Sequence, residues 1–294
     1  MSYRILIRQH TADLARLFLA AMEDYPFVLL TPSDENLDWE NPKAVAGYVN
    51  EKSPNLVINF NAQYNRVTEQ DLAVAKALAS VSMARKLPFL QLSSFRVFYA
   101  VNDDAQELPE SPVVCAPEAP LCVQLENSVL ASDVALILRL PWLLDGVNGC
   151  LFDEINSKLV RGSLGPVSDF HRLTLVHSPY VIRCLIAMIQ QIFCGANNWG
   201  VFHLRASDSC SEAELVDTIV RMIHNETGSE TPTPNVVVGK DEGRLLAGAA
   251  NLAGRRCTDE FGIQFPSWRH GFKSQIKRWL HDQGMLPDMR KVDR

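Results

Sequence analysis

The first candidate for chemistry is the junction between a short apolar strand and a helix near the start of the chain. Residues 3–22 read YRILIRQHTADLARLFLAAM, in which the apolar run ends at Ile7 and the helix begins near Thr11 or Asp13. A strand that turns into a helix in this way commonly opens a dinucleotide-binding domain, and its turn is rich in glycine because the backbone must approach a pyrophosphate. Residues 8–15 contain no glycine. Two alternatives follow: a nucleotide site with a changed phosphate cradle, or a chain that never bound a nucleotide.

The composition is that of a globular chain with enough apolar residues for a large core. The 294 residues are 47% hydrophobic and 21% charged, which is ordinary for such chains. The net charge of -6 disfavours nucleic acid or an anionic membrane as the main partner. No basic region followed by a long apolar run opens the chain, and Asp133 and Arg139 interrupt the apolar stretch 129–144. We therefore expect neither a signal peptide nor a membrane span.

The cysteines and histidines give no signal for a metal site. Seven cysteines are scattered without a CxxC pair, and the seven histidines are similarly dispersed. This usage is typical of reduced thiols in a cytoplasmic protein, and it predicts neither a disulfide framework nor a zinc site.

Strand and helix signals alternate along the first half of the chain. Continuous apolar runs, such as LVINF at 56–60 and VALIL at 134–138, are separated by segments with helical spacing of apolar residues. Buried strands between helices indicate an α/β fold with a doubly wound parallel sheet, covered on both faces. The predicted strands are 3–7, 27–30, 56–60, 89–92 and 134–138, and the predicted helices are 12–23, 42–51, 69–85 and 123–131.

The second half of the chain has less regular signals. We expect Pro266 to open a last amphipathic helix, with an apolar face of Phe272, Ile276 and Leu280. Its basic side chains, which we expect to face water, are Lys273, Lys277 and Arg278. The other predicted helices are 151–160, 179–193 and 211–224, and the other predicted strands are 200–204 and 236–238.

Length alone allows one large domain or two closely joined ones, and the family resemblance described below implies two unequal domains. Residues 1–145 form a nucleotide-binding-type domain, to which 166–182 and 196–225 contribute strands or helices. Residues 146–294 mainly form a smaller α+β domain that ends in the C-terminal helix.

Six segments, in consistent order and spacing, carry a resemblance to a known family. They are LDWENPKAV at 37–45, SPNLVINF at 53–60, LPFLQLSSFRVF at 87–98, APLCVQLENSVLAS at 119–132, RLPWLL at 139–144 and GVFHLRASDSCSEAEL at 200–215. On these segments the chain resembles the extended short-chain dehydrogenase/reductase superfamily. Within it, the chain is similar to the dTDP-4-dehydrorhamnose reductase group and to a relative of that group, the regulatory β subunit of methionine adenosyltransferase. The resemblance implies a Rossmann-like fold with a smaller substrate-type domain, NADP or NAD as cofactor and a sugar nucleotide as substrate.

The resemblance places the family's glycine-rich phosphate loop on residues that are not glycine. Its three glycines fall on Gln9, Ala12 and Ala15, which put side chains where bare backbone is needed. Either other contacts repair the turn and a nucleotide binds in a shifted pose, with Arg8 or His10 supplying charge, or those two side chains are simply solvated. The cofactor positions that the resemblance implies are Gln9, Thr11, Ala12, Asp13, Leu14, Asp38 and Asn61.

The family's catalytic Tyr-x-x-x-Lys pair is also missing. In the family the lysine lowers the pKa of the phenol and holds the nicotinamide ribose, and the tyrosine exchanges a proton with the carbonyl oxygen. The resemblance places this pair on Gln124, which cannot titrate, and on Ser128, which is short and uncharged. Ser94 keeps the family's hydroxyl, and its alternative role is that of a loop or cap serine.

The substrate side departs from the family as well. The family's R-P-x-x-S-x-L segment, which grips the phosphates of a sugar nucleotide, falls on residues 246–252, where the Arg-Pro pair is absent. Arg244, or the adjacent Arg255 and Arg256, could take over this role or be surface arginines. The residues that the resemblance assigns to the substrate are Trp142, Arg244 and Asn251.

Loss of the phosphate loop, the proton relay and the substrate grip together favours a protein that has lost catalysis. Removing an acid–base group typically slows a reaction ~10²–10⁴-fold. We therefore predict a catalytically inactive homologue that acts as a binding, regulatory or scaffold protein, with no metal and with NADP or NAD left open as a ligand. Its partner would be another protein, a second copy of the chain, or a nucleotide or sugar nucleotide.

Two alternatives remain open at this point. One is an NAD(P)-dependent reductase of a sugar nucleotide with rearranged catalytic residues, for which the replacements would come from Tyr64, Tyr99, His10 and Arg96. The other is ligand sensing by a retained nucleotide cleft.

Overall fold

Strands and helices alternate along the chain as the sequence predicts. The structure, a computed structural model, describes residues 2–100, 107–145, 147, 150–170, 172–228, 236–237 and 251–286. The strands are β1 Arg4–Arg8, β2 Val28–Leu30, β3 Leu56–Asn59, β4 Phe89–Ser94, β5 Ala135–Leu140, β6 Trp142–Leu143, β7 Val167–Ser168, β8 Arg172–Leu173, β9 Leu175–Val176, β10 Gly200–His203, β11 Cys210–Ser211 and β12 Val236–Val237. The helices are α1 Asp13–Met22, α2 Pro42–Lys52, α3 Glu69–Arg85, α4 Leu121–Val129, α5 Leu151–Val160, α6 Ser178–Phe193, α7 Glu212–Thr227, α8 Arg255–Phe261 and α9 Phe272–Asp282.

The central sheet has six strands in the order β10–β5–β4–β3–β1–β2. All of its strand pairs are parallel, with Ile5 opposite Leu56 and Leu90 opposite Leu136. Strands β2 and β3 lie on opposite sides of β1, so the direction in which strands are added to the sheet reverses at β1. A crevice opens at the carboxyl ends of the strands at such a switch point, where α/β proteins commonly bind ligands. The predicted doubly wound parallel sheet is confirmed.

Two layers of helices cover this sheet. Successive side chains of a strand point to opposite faces, so Ile5 and Ile7 of β1 join one core, and Leu6 joins the other. The first core is closed by α1 and α6, with Phe18 fully buried. The second is closed by α2, α3 and α4, with Leu78 buried against β3 and β4. Together they hold the carboxyl ends of the strands in fixed positions.

The smaller C-terminal part has its own core. Side chains of α5, α7 and α9 pack together there, with Trp268 and Phe272 buried among them. Three two-stranded pairs border this core: β6 with β9, β7 with β12, and β8 with β11. Strand β10 belongs to the central sheet, so the region 196–225 contributes a strand to it. The domain boundaries themselves stay predictions.

The end of β4 and the start of the last helix differ from the predictions. Strand β4 continues to Ser94, beyond the predicted end at residue 92, and a short 3₁₀ helix, Phe95–Phe98, follows it. Pro266 does not open the last helix. That helix begins at Phe272 because Gly271, with φ of 82°, lies in the left-handed region and ends the preceding turn. Helix α8 was not predicted.

The faces of α9 agree with the sequence. Lys273, Lys277 and Arg278 are exposed as expected, and the two lysines also form ion pairs with Glu226 of α7, at 3.4 and 3.1 Å. The predicted apolar face is fully buried and consists of Phe272, Ile276 and Leu280.

No described helix is both long and apolar enough to cross a membrane. In the same described ranges, no group of three or more His, Cys, Asp or Glu side chains is arranged to hold a metal ion. All seven cysteines are free thiols.

Candidate functional site

A cavity of about 460 Å³ opens at the switch point, at the carboxyl ends of β1, β3 and β4. Its size is in the range of small-molecule sites. Residues 60–65, which directly follow β3, form one wall, and the turn between β1 and α1 forms the other. Most of the cofactor positions implied by the family resemblance meet here, namely Gln9, Thr11, Ala12, Asp13, Leu14 and Asn61.

The turn between β1 and α1 is held in a conformation that favours glycine. Gln9 has φ of 58°, in the left-handed region where a residue with a Cβ is strained by about 1–2 kcal/mol. The turn is closed by a hydrogen bond from the Ala12 N–H to the Gln9 carbonyl at 3.0 Å. The backbone therefore keeps the glycine-type turn, while the Gln9 side chain occupies part of the cavity wall.

The N-terminus of α1 faces this cavity without a side-chain cap. Ala12 is the N-cap residue and supplies no side-chain hydrogen bond. The uncapped N–H groups and the helix dipole favour an anion at this end. The Asp13 carboxylate lies in the same first turn and forms an ion pair with Arg16, which also lines the cavity. The two side chains balance each other in charge, so attraction for an anion comes from the backbone.

Asn61 is fixed at the opposite wall by buried amides. The Asn59 Nδ2 donates to the Gln91 Oε1 at 2.7 Å, and the Gln91 Nε2 donates to the Asn61 Oδ1 at 3.1 Å. These three side chains stand at the carboxyl ends of the neighbouring strands β3 and β4. The Asn61 Nδ2 donates to the Leu92 carbonyl at 3.5 Å, so both ends of this amide are bonded within the wall.

Arg8 does not supply charge to the cavity, contrary to the hypothesis drawn from the sequence, and it is not solvated either. It is 2% exposed, and its Nη1 donates to the Asp71 Oδ1 at 2.7 Å and to the Phe60 carbonyl at 3.2 Å. Asp71 also completes the capping box of α3 with Thr68. This ion pair ties the end of β1 to the start of α3. His10 is half-buried in the turn.

Asp38 lies outside the cavity lining. Its side chain is exposed, and its Oδ1 accepts a hydrogen bond from the Glu40 N–H at 3.2 Å.

The two positions of the family's Tyr-x-x-x-Lys pair face away from the cavity. The Gln124 Nε2 donates to the Ala119 carbonyl at 2.8 Å, and the Ser128 hydroxyl donates to the Gln124 carbonyl at 2.8 Å. Both side chains line a surface depression, together with Lys76 of α3 and residues 115–117. Neither lines the cavity at the switch point.

The side of α4 that does face the sheet carries a buried charge network. Glu126 accepts hydrogen bonds from the Ser93 hydroxyl at 2.5 Å and from the Arg139 Nη2 at 2.6 Å. The Arg139 Nη1 donates to the His203 Nε2 at 3.1 Å, and the His203 Nδ1 donates to the Ala253 carbonyl at 3.0 Å. Burial and the Arg139 charge hold the pKa of His203 well below its usual range, so the ring is neutral and carries its proton on Nδ1. The network joins α4, β4, β5 and β10.

Ser94 serves as a cap. Its hydroxyl oxygen accepts a hydrogen bond from the Arg96 N–H at 3.4 Å, at the start of the 3₁₀ helix that follows β4. The sequence left two roles open for Ser94, that of the family's hydroxyl and that of a loop or cap serine, and this bond is the second.

Of the candidate replacements for the catalytic residues, Tyr64 lines the cavity. Its hydroxyl oxygen accepts a hydrogen bond from the Leu143 N–H at 3.3 Å, and burial raises the pKa of Tyr64 to about 12. The nearby Arg96 charge lowers the pKa of Tyr64 in part. The guanidinium of Arg96 lies over the rings of Phe95 and Trp142, at 4.8 and 4.9 Å. Trp142 is 9% exposed and is not among the residues that line the cavity.

Tyr99 is half-exposed after the 3₁₀ helix and lies outside the cavity lining.

The remaining substrate candidates are not gathered at the cavity. Asn251 uses its backbone carbonyl to accept a hydrogen bond from the Leu108 N–H at 2.8 Å, and Arg244 lies outside the described residues. Arg255 is an exposed surface arginine that pairs with Asp259 at 3.1 Å.

Arg256 ties α8 to the sheet. It pairs with Glu260 at 2.6 Å, and its guanidinium donates to the backbone carbonyls of Val201 at 2.8 Å and Trp199 at 3.1 Å. It is therefore neither a free phosphate ligand nor a solvated surface arginine.

Several residues that line the cavity were not predicted. Arg16 follows Asp13 at a spacing of three residues on α1, which is a recognisable signal for an ion pair at the start of a helix. The other unpredicted wall residues follow β3 directly, and their position at a carboxyl strand end is the signal that could have found them. They are Phe60, Ala62, Gln63 and Asn65, with Leu92 and Val147 beside them.

Comparisons with known proteins agree with this fold. A family model described as the RmlD substrate binding domain matches residues 3–280. No curated protein gives a significant match. A dTDP-4-dehydrorhamnose reductase from Clostridium acetobutylicum has a TM-score of 0.71 at 20% identity, over 94% of this chain and 99% of that chain.

Two further solved structures have similar scores. The dTDP-4-dehydrorhamnose reductase of Bacillus anthracis in complex with NADP has a TM-score of 0.67 at 16% identity, over 96% of this chain and 100% of that chain. A UDP-N-acetylglucosamine 4-epimerase from Bacillus cereus has a TM-score of 0.72 at 10% identity, over 95% of this chain and 100% of that chain. At these identities, the likeness to the three structures establishes the fold.

Proposed function

The chain belongs to the RmlD substrate binding domain family, and from this premise we propose that it binds a nucleotide ligand without reducing a carbonyl group, as a binding or regulatory protein. The observation that carries the proposal is the orientation of α4. Gln124 and Ser128, which occupy the positions of the family's proton-relay pair, line the surface depression and not the cavity. The cavity keeps room for a ligand but lacks that titrating pair.

The phosphate-binding end of the cavity suits a nucleotide. The uncapped N-terminus of α1 opens into it, and the Thr11 hydroxyl and the Asn61 amide line its walls. Backbone N–H groups at a helix N-terminus are common phosphate ligands. The solved relative from Bacillus anthracis holds NADP. In this chain, Thr11, Ala12 and Leu14 would hold the phosphates of such a cofactor, whose nicotinamide ring supplies a hydride when bound.

The reactive end does not suit hydride transfer. A general acid works best with a pKa near the operating pH, and burial raises the pKa of Tyr64 to about 12. Ser94 is used as a cap, and the buried Glu126 is already bonded to Ser93 and Arg139. We therefore infer that a nucleotide binds here as a ligand and that the protein does not use it for hydride transfer.

A second candidate function rests on Tyr64. Its phenol lines the cavity, and the nearby Arg96 charge lowers its pKa in part. The phenol oxygen accepts the Leu143 N–H, which leaves the phenol proton available for donation to a substrate carbonyl. This arrangement would make the chain a reductase of a sugar nucleotide with a relocated acid.

A binding titration tests the first part of the proposal. NADPH, NADH, dTDP and ADP are titrated into the full chain, and heat of binding and thermal unfolding are followed. We expect saturable binding of at least one of them, with a rise in the melting temperature at saturating ligand. The variant Thr11→Trp, at an exposed residue of the cavity wall, should abolish binding, whereas Gln124→Ala in the surface depression should not change it. Absence of binding by all four ligands would contradict the proposal.

An activity assay separates the two candidates. NADPH is incubated with the chain and a set of 4-keto sugar nucleotides, and the reduced nicotinamide is followed by its absorbance. The binding function gives no substrate-dependent oxidation. The relocated-acid function gives oxidation that Tyr64→Phe slows by about 10²-fold or more.

A further inference from the structure

A second cavity of about 230 Å³ lies in the C-terminal part of the chain. It is enclosed by the start of α6, residues 205–206 after β10, and the segment 266–278 that contains the start of α9. In the part of the chain that the structure describes, it shares no lining residue with the cavity at the switch point. It is therefore a separate site and does not depend on the proposed function.

Cationic side chains surround this second cavity. Arg183 on α6 and Arg278 on α9 line it, and both are exposed. Neither forms an ion pair within the described ranges. Arg205 lines it as well, and its charge is balanced by Glu107 at 2.7 Å. The two helices therefore present two uncompensated positive charges at one opening, on a chain whose net charge is -6.

Two carboxylates bond to residues of the segments around this cavity, and both are engaged. Asp145 accepts hydrogen bonds from the Ser178 N–H at 2.9 Å and from the Gln275 side chain. Asp208 pairs with Arg269 at 2.9 Å and accepts a hydrogen bond from the Trp268 N–H at 3.1 Å. Their bonds to backbone and side chains fix the two segments that form the cavity, and leave its opening positive.

The floor of the second cavity is apolar and aromatic. Tyr180 and Trp268 are 9% and 1% exposed, and both line the cavity beside Pro266. The Tyr180 hydroxyl donates to the Gln264 carbonyl at 3.2 Å. The hydroxyl is therefore already bonded, and the ring is the part of Tyr180 that a ligand would contact. The guanidinium of Arg183 lies 5.9 Å from the centre of the Tyr180 ring. A planar apolar group on this floor would therefore have a positive charge within reach.

We propose that the second cavity binds a small organic anion that joins one planar ring to a phosphate or carboxylate group. Arg183 and Arg278 hold the anionic group at the opening, and the ring lies against Tyr180, with the almost fully buried Trp268 beneath it. Arginine is suited to both groups because its planar fork donates paired hydrogen bonds to phosphate and carboxylate oxygens. The volume admits one ring with its anionic group and excludes a dinucleotide.

Titration calorimetry with simple probes tests this proposal on the full chain. Phenyl phosphate and phenylacetate supply the two anionic groups, and benzyl alcohol supplies the ring without charge. We expect one saturable site for at least one of the two anions and none for benzyl alcohol. Arg183→Gln and Arg278→Gln should each weaken binding about tenfold, because each removes charged hydrogen bonds to the anion. Both side chains are exposed, so both variants should fold, and the lysine variants should retain part of the affinity.

A matched variant locates the site. Arg16→Gln removes an arginine that lines the cavity at the switch point, and it should leave binding of the probe unchanged. If Arg16→Gln weakens binding while the other two variants do not, the anion occupies the first cavity and the proposal is wrong. It is equally wrong if neither anion binds saturably, or if Arg183→Gln and Arg278→Gln bind as tightly as the unaltered chain.

Discussion

The hydroxyl of Ser128 donates a hydrogen bond to the backbone carbonyl of Gln124 at 2.8 Å, one turn back along α4. These are the two positions at which the family resemblance places the catalytic tyrosine and lysine. Both side chains bond to nearby backbone carbonyls, and both lie at the surface depression on the outer side of the helix. These two hydrogen bonds are made within α4 and to the residues before it, and they contribute nothing to the cavity.

Removing the Gln124 amide should therefore affect stability and not binding. Gln124→Ala loses the hydrogen bond to the Ala119 carbonyl, and we expect the free energy of unfolding to fall by about 0.5–1.5 kcal/mol. Urea denaturation measures this change, and a nucleotide titration measures the binding. A loss of binding without a loss of stability would show that Gln124 contacts the ligand.

The left-handed conformation of Gln9 gives a second prediction. Gln9→Gly should leave the free energy of unfolding within about 0.5 kcal/mol of the unaltered chain or raise it, because the relief of strain offsets the greater freedom of glycine when unfolded. Gln9→Val should lower it by about 1–2 kcal/mol, since a branched side chain is poorly tolerated at positive φ. Gln63→Gly, on the other wall of the cavity, is the control and should be destabilising by about 0.5–1 kcal/mol. The opposite order of the two Gln9 variants in urea denaturation would contradict the turn geometry.

The buried pair of Arg8 and Asp71 gives a third prediction. Asp71→Ala leaves the Arg8 guanidinium buried without its carboxylate, and the free energy of unfolding should fall by about 3–5 kcal/mol. Asp217→Ala breaks the exposed pair with Arg221 and should change it by less than about 1 kcal/mol. The double variant Arg8→Met with Asp71→Leu should recover most of the loss. Equal effects of Asp71→Ala and Asp217→Ala in chemical denaturation would mean that Arg8 is solvated.

The neutral, buried His203 gives a prediction about pH. Its pKa is lowered in the folded protein, so the unfolded chain takes up a proton as the pH falls through about 6.5 while the folded chain does not. The contribution of His203 to stability is therefore complete above about pH 7 and is lost toward pH 5, by up to about 1.4 kcal/mol per pH unit. The direction follows from the burial of the ring and from the Arg139 charge beside it.

The variant His203→Gln isolates this contribution. Glutamine can accept from Arg139 and donate to the Ala253 carbonyl but cannot titrate, so its stability should fall less between pH 7 and pH 5. Parallel curves for His203→Gln and the unaltered chain in urea denaturation at each pH would contradict a lowered pKa for His203.

The central sheet could be predicted because its signals are local. A continuous apolar run such as LVINF forms a strand that must be buried on both faces, and a sheet between two layers of helices provides that burial. The start of the last helix could not be predicted in the same way. Proline is common in the first turn of a helix, which favoured Pro266, but the left-handed Gly271 ends the turn that precedes the true start at Phe272.

The cavity could be predicted in part. The resemblance found the turn at Gln9 and the wall at Asn61, because both directly follow strands whose carboxyl ends meet. It could not show that Gln124 and Ser128 face outward, since each residue of a helix is rotated by about 100° from the last and the sequence does not fix the face. Nor could it show that Arg8 forms a buried ion pair with Asp71, far along the chain, and so does not supply its charge to the cavity.

Transfer of a labelled hydride tests the central claim most directly. NADPH that carries deuterium at the transferable position is incubated with the full chain, at concentrations that saturate binding, together with 4-keto sugar nucleotides. Mass spectrometry then measures deuterium in the sugar. If the cavity holds a nucleotide without using its chemistry, NADPH binds saturably and no deuterium reaches the sugar. Deuterium in the sugar from the unaltered chain, and its loss in Tyr64→Phe, would contradict the account and identify a reductase with a relocated acid.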